Sequence, residues 1–341
     1  MGEAENRSAT ARRFRRSLPM FHKEYTEPYQ AVKKKFRTPW IGGKNSVCLL
    51  VLMNGCEDIV EIGRVMHLYI AAGVGLAVLV TFAFLAARRL ADERRLRAIW
   101  KSLEGDGRGA AFHPDMVTGL PEPARRYLLH AIRPGTPLAS SVALRMKGKL
   151  RPKATVPWTE MKAREIICVT KGFLWKAKVR RGLSRVSGAD HYADGQGRVR
   201  FWLWGVFPAV RMEGEDTTKS AIGRLAIEAV WLPSALLPQA GATWEAVDNH
   251  SAKVTIQIDG QPTTLVVNVE SDGKLRRSII SRWGGVGESG EAVWMPFEVE
   301  SHEEREFGGY TIPSFCTAGW WMRSDHFFEF FRANVESAEF R

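Results

Sequence analysis

Hydrophobic and polar residues follow distinct rhythms along this chain. The stretch Leu68–Ala87 reads LYIAAGVGLAVLVTFAFLAA, twenty residues without a charge and with Thr81 as its polar side chain. At about 1.5 Å per residue, a helix of that length covers roughly 30 Å of hydrocarbon. A buried helix of a soluble protein rarely runs so far uncharged. A cleaved signal peptide has a shorter apolar core and a small-residue cleavage site, not the basic stop RRLADERR at 88–95. The pattern predicts one transmembrane helix over residues 66–88. Gly73 and Gly75 are two apart, which is not the spacing of a small-residue dimer motif.

A charged helical stretch continues the span, and GDGRG at 105–109 breaks it, so residues 89–115 read as a juxtamembrane helix and linker. PEPARRYLLHAI at 121–132 reads as a short helix with prolines at its start, where a missing N–H costs little. After Pro137 the period drops to two. Val142, Leu144 and Met146 alternate with polar residues, and Phe173, Trp175, Ala177 and Val179 share one face. Further strands follow at 253–258, 264–269 and 274–283, separated by turn-forming DGQP and SDG, and then at 292–301, 310–322 and 328–335. RLAIEAVWLPSALLP at 224–238 interrupts them as a helix broken at Pro233. Residues 116–341 are therefore expected to form one mainly β (α+β) domain, a mostly antiparallel sheet with a few short helices.

The net charge of +12 suggests a nucleic-acid partner until it is located. Residues 1–101 carry 18 Lys+Arg against 9 Asp+Glu, and the rest of the chain carries 31 against 28. The folded domain is close to neutral, so bulk charge does not point to nucleic acid there. Arg88, Arg89, Arg94, Arg95, Arg97 and Lys101 follow the apolar run, while Arg64 alone precedes it closely, which by the positive-inside rule puts the domain in the cytoplasm. The first 65 residues read either as a basic arm without a core, suited to anionic lipid or nucleic acid, or as an over-extended start before Met66. SVCLLVLMNGC at 46–56 has some features of a lipoprotein signal ending on Cys56, but Met53 and Asn54 fit poorly. Four cysteines do not make a disulfide scaffold, and Cys168 and Cys316 fall in strands as buried thiols.

Local chemistry is sparse. GVGESG at 285–290 matches a dinucleotide fingerprint, but a strand follows it instead of a helix, so it reads as a hairpin loop. HEERE at 302–306 lacks the second histidine of a zinc site. Asp190, His191 and Asp194 cluster in DHYADGQG at a spacing that fits neither zinc nor calcium, so no metal or cofactor is assigned. Glu228 is set among Ala226, Ile227, Ala229 and Val230. If buried, it needs a partner, and Arg224 one turn earlier is placed to supply it. Glu228 with Asp190 and His191 are the candidate catalytic residues. Ten of the 12 Trp lie between Trp158 and Trp321. They fill a core, or some of them (Trp175, Trp202, Trp204, Trp231, Trp294 and Trp320) line a groove for an apolar ligand.

The succession PARRYL (123–128), GFLWKA (172–177), DHYADGQG (190–197), RLAIEAVWLPSALL (224–237), WEAVD (244–248) and GGYTIP (308–313) resembles an uncharacterised bacterial family. Its members have one N-terminal membrane helix and a β-rich domain of unknown function. The likeness covers residues 116–335, and the segment around Glu228, Trp231 and Pro233 is its most specific part. The first 65 residues depart from the family pattern. The resemblance implies a curved antiparallel sheet or half-barrel, distantly like lipoprotein carriers that hold lipid tails on a concave face. It brings no established activity.

The expected function is a membrane-anchored domain that binds an apolar or amphipathic, lipid-like ligand, with membrane lipid as partner. The alternatives are an enzyme using Glu228 with Asp190 or His191, to which the sequence lends less support, and an envelope scaffold that binds protein through its β-surface.

Overall fold

A computed structural model describes residues 46–107, 109–286, 291–323 and 326–341. Residues 1–45 of the basic arm read at 1–65, the side chain of Cys56 and most of the GVGESG loop lie outside them. The chain parts into two units, residues 1–72 and 73–341. Helix α1 (Ser46–Leu103) contains the apolar run, one stretch long and apolar enough to cross a membrane, with a mean hydropathy of 2.4.

Among the described residues of the second unit there are thirteen strands: β1 (Val142–Leu150), β2 (Thr159–Cys168), β3 (Gly172–Arg181), β4 (Ser184–Ala193), β5 (Gln196–Leu203) and β6 (Phe207–Glu213), then β7 (Thr243–Ala246), β8 (Ser251–Ile258), β9 (Gln261–Val269), β10 (Leu275–Val286), β11 (Ala292–Phe307), β12 (Tyr310–Arg323) and β13 (His326–Phe340). They form one antiparallel sheet in the order β6-β5-β4-β3-β2-β1-β13-β12-β11-β10-β9-β8-β7. The chain runs outward from the middle to β6, crosses to β7, and returns to pair β13 with β1, Val142 opposite Phe340.

The expected half-barrel is not what forms. The sheet is open, and its two end strands, β6 and β7, do not pair with each other. Closure removes free edges and buries an apolar face. Here the segment between β6 and β7 does the burying. It folds into helix α3 (Glu215–Glu228) and three short 3₁₀ turns, and places Leu225, Ala226, Val230, Trp231, Leu232 and Leu236 in the core. Helix α2 (Glu122–Ala131) adds Tyr127 and Leu128 to the same layer. The edges are blunted in other ways. β7 is four residues long, and β6 is exposed throughout, with Pro208 and Arg211 in it.

The helix expected at 224–238 begins nine residues earlier, at Glu215, and its α-helical part ends at Glu228. The chain then continues in 3₁₀ turns, one of them starting at Pro233.

The sheet has two faces. The inner face, covered by α2, α3 and the 3₁₀ turns, carries the main core, including Met161, Ala163, Ile167, Phe173 and Tyr192. On the outer face, Leu96, Ile99 and Leu103 of α1 pack on Ile166, Cys168, Leu174, Ala189 and Ala193. This explains where alternation fails. β2 reads buried–exposed up to Glu165 and is buried continuously from there, because the end of α1 covers its second side.

Two tight turns matter below. β4 and β5 join at Asp194–Gly195, φ 52° and 70°, the pair that an Asp-Gly hairpin favours. β5 and β6 join through Trp204 and Gly205, φ 50° and 76°. A bulky aromatic in the left-handed region is uncommon.

Candidate functional site

Two constellations lie on opposite faces of the sheet. The inner one centres on Arg224 of α3, which Ser220 and Gly223 bring close to β10. The Arg282 guanidinium donates from Nε to Ser220 O at 3.0 Å, and its side-chain stem runs beside Gly223. Arg224 donates to three carboxylates: Nε to Glu228 Oε1 at 2.8 Å, Nη1 to Asp190 Oδ2 at 2.7 Å and Nη2 to Glu165 Oε1 at 3.0 Å. Its guanidinium also lies over the rings of Phe173 (4.7 Å) and Trp175 (5.1 Å).

The second oxygens, Glu165 Oε2 and Glu228 Oε2, are buried and receive no donor. The two carboxyls are within hydrogen-bond reach of each other. Burial pushes both carboxyls upward, and Glu165 rises further because Glu228 is beside it. Burial alone would lower the Arg224 pKa, but the three carboxylates more than reverse that and hold it above its ordinary value. Arg282 is lowered to about 10 by burial and by Arg224. The Cys316 thiol is pushed up to about 12, again by burial first and then by Glu228 and Glu165.

Of the candidate catalytic residues, Glu228 and Asp190 meet at Arg224. His191 is the next residue along β4 and points to the other face. It is buried there, and burial lowers its pKa to about 4, with Arg95 and Arg198 adding to the effect against Asp190. All three carboxyl groups are already engaged by Arg224, so the cluster ties α3 to β2 and β4.

The six candidate tryptophans do not share one cavity. Trp175 lies under Arg224 between Phe201 and Phe331. Trp231 is buried and donates to Pro313 O at 3.1 Å, and Trp320 stacks edge-on against Phe297 beside Arg282. Trp202 is on the outer face, donating to Asp92 Oδ2 at 3.2 Å. Trp204 sits at a turn and Trp294 near a strand end, each 57% exposed.

The outer constellation was not read from the sequence. A groove of about 780 Å³ runs between α1 and the outer face of β2, β3 and β4. Trp100 contributes apolar surface, and six cations (Arg89, Arg97, Lys162, Arg164, Lys176 and Lys178) face one acid, Glu93. Register makes this charge unusual. Lys147 stands opposite Lys162, which stands opposite Lys178. Arg145 stands opposite Arg164, which stands opposite Lys176. Like charges directly across strands are destabilising. Some are relieved: Lys176 pairs with Glu93 at 2.6 Å, Lys147 with Glu336, and Arg164 lies over Trp100 at 5.1 Å. Among the described residues, Lys162 and Lys178 have no acidic partner. A signal was present in the sequence, because Lys and Arg alternate with other residues at 145, 147 and 149 in β1, at 162 and 164 in β2, and at 176, 178 and 180 in β3. The sequence alone does not say that the three stripes adjoin.

The groove is held open by two anchors from α1. Asp92 accepts from Arg200 at 3.2 Å and from Trp202, and Glu93 accepts from Lys176.

The chain belongs to a family of unknown function, DUF6920, whose model matches residues 118–340. No curated protein matches it. Among solved structures it is distantly similar to a LolA superfamily protein from Nitrosomonas europaea, 8% identical over 64% of this chain and 92% of that one, with a TM-score of 0.37. A putative outer membrane lipoprotein-sorting protein domain from Vibrio parahaemolyticus is 7% identical over 59% and 86%, with a TM-score of 0.34. A DUF1329 family protein from Desulfovibrio piger is 9% identical over 59% and 86%, with a TM-score of 0.29. Likeness of this degree assigns neither ligand nor activity.

Proposed function

We propose that this chain is a membrane-anchored β-domain that binds an anionic, amphipathic, lipid-like ligand in the groove between α1 and the outer face of the sheet. The observation that carries the reading is the position and chemistry of that groove. Its first lining residue, Arg89, comes two residues after the apolar run ends at Ala87. A lipid-like molecule can lay apolar surface on Trp100 and an anionic group on Lys162 and Lys178, where it relieves the cross-strand repulsion. The cations that follow the apolar run support a cytoplasmic side for the domain. Protease protection in vesicles of known orientation tests that point.

The test of the function is lipid binding by the full chain in detergent, read by native mass spectrometry with phosphatidylglycerol and phosphatidylcholine as probes. Phosphatidylglycerol is expected to be retained in preference. Lys162→Glu with Lys178→Glu is expected to weaken it by about tenfold or more, at roughly 1 kcal/mol per cation. Equal retention of both lipids, or no effect of the double variant, overturns the proposal.

A further inference from the structure

A separate feature concerns how the domain meets the bilayer. The Phe207 ring at the start of β6 packs edge-on against Phe82 of α1, with centroids 5.9 Å apart. Phe82 lies inside the apolar run, five residues before its end, or about 7.5 Å along the helix. A turn of the sheet is thereby placed beside a segment with the composition of a membrane span.

The residues at that turn are apolar and exposed. Leu183, in the β3–β4 turn, is 92% exposed, Trp204 is 57% and Phe207 is 40%. They are held together. Trp204 donates from Nε1 to Leu183 O at 3.2 Å and from its backbone N–H to Arg185 O at 2.7 Å, and its ring lies edge-on to Phe207. The backbone conformation at Trp204 is one that Asn or Gly adopts readily and a large aromatic does not, so the fold keeps an indole at an exposed, disfavoured position. Behind the apolar tip stands positive charge. Arg180 and Arg185 face each other across β3 and β4, and Arg88 and Arg89 follow the apolar run on α1.

Topology extends the pattern. Because β13 pairs antiparallel with β1, the β10–β11 and β12–β13 hairpins end on the same side of the sheet as the β3–β4 and β5–β6 turns. They carry the ring pairs Trp283–Trp294 at 5.6 Å and Trp321–Phe327 at 5.3 Å. Tryptophan backed by cations suits the headgroup layer of a membrane, where one part of the indole meets acyl chains and its N–H meets water.

We propose that the β3–β4 and β5–β6 turns form a seat on the bilayer that α1 spans, with Leu183, Trp204 and Phe207 in the boundary between headgroups and acyl chains. The seat orients the domain against the membrane, so that α1 is not a free tether. The partner is the lipid surface itself, with anionic headgroups matched to Arg180 and Arg185. This inference requires α1 to span the membrane but not that the groove holds a ligand. The two fail separately, since one is read by lipid retention and the other by the environment of a single indole.

The test uses the full chain in nanodiscs of phosphatidylcholine and phosphatidylglycerol, with or without lipids brominated near the top of the acyl chain. Subtracting the emission of Trp204→Phe from that of the wild type isolates Trp204. Its emission is expected to fall about twofold with brominated lipid and to be shielded from aqueous iodide, as for an interfacial indole. In a second variant, Leu183→Asp with Phe207→Ser, Trp204 is retained and is expected to lose the bromolipid quenching and become open to iodide. Emission quenched by iodide but not by brominated lipid puts the turn in water and overturns the seat. Shielding from both quenchers in a dimeric chain identifies a protein contact and overturns it equally. Unchanged bromolipid quenching in the second variant shows that α1 alone sets the position, and removes the role assigned to Leu183 and Phe207.

Discussion

The Arg224 guanidinium donates to Asp190 Oδ2 at 2.7 Å, joining helix α3 to strand β4 across 34 residues of chain. Each side chain is less than a fifth exposed, and the same arginine also holds Glu165 and Glu228. The layer that covers the inner face is therefore fastened by a polar knot as well as by apolar burial.

Removing the arginine leaves three carboxyls in the core without their donor. Arg224→Met is expected to cost about 3–5 kcal/mol, the usual effect of breaking a buried ion pair from one side. Glu165→Gln keeps the shape and is expected to cost far less, or to stabilise. The carboxyl pair binds a proton more tightly in the folded state than in the unfolded one, so stability falls as pH rises from the ordinary glutamate range through the raised value. Glu165→Gln should flatten that slope. Denaturant titrations of the solubilised chain at several pH values check both.

His191 has the opposite dependence. Its imidazole is neutral and buried, with a folded pKa of about 4 against an ordinary 6.5. The unfolded chain takes up the proton first, so the stability present above pH 6.5 is lost as pH falls towards 4, by at most about 3 kcal/mol. His191→Gln should remove this part of the acid slope. Melting temperature against pH, compared with wild type, measures it.

Asp92 joins α1 to the sheet through Arg200 and Trp202. Asp92→Ala leaves the Trp202 N–H without its acceptor and is expected to cost about 2 kcal/mol, within the range for hydrogen bonds to charged groups. Amide exchange should rise along β5 and along residues 89–103 while β8 and β9 stay protected. Uniform exchange across the domain would show that this contact is not local.

Gly197 tests how closely α3 approaches β5. A methyl group there would lie 2.6 Å from Thr217 O and 2.8 Å from Thr218 Cα. Its backbone N–H donates to Thr218 Oγ1 at 3.0 Å. Gly197→Ala should force the helix start away and cost about 1–3 kcal/mol, as overpacking does. Chemical denaturation measures the loss.

The sequence by itself determined the features that depend on neighbours in the chain. A twenty-residue uncharged run marks a helix fit to span a membrane, and alternation after Pro137 marks strands, because both periods are set by local backbone geometry. The Arg224–Glu228 contact was legible for the same reason, being one turn of one helix. Tertiary structure decided the rest. Whether the sheet closed depended on what covered its inner face, and that was a segment between β6 and β7 whose burial comes from strands distant in sequence. Asp190 and His191 looked like one cluster, yet adjacent residues on a strand face opposite ways, so one joins Arg224 and the other lies towards α1. The alternating cations of β1, β2 and β3 were visible as three separate stripes. Only strand register set Lys147, Lys162 and Lys178 side by side and turned ordinary surface charge into an unbalanced groove.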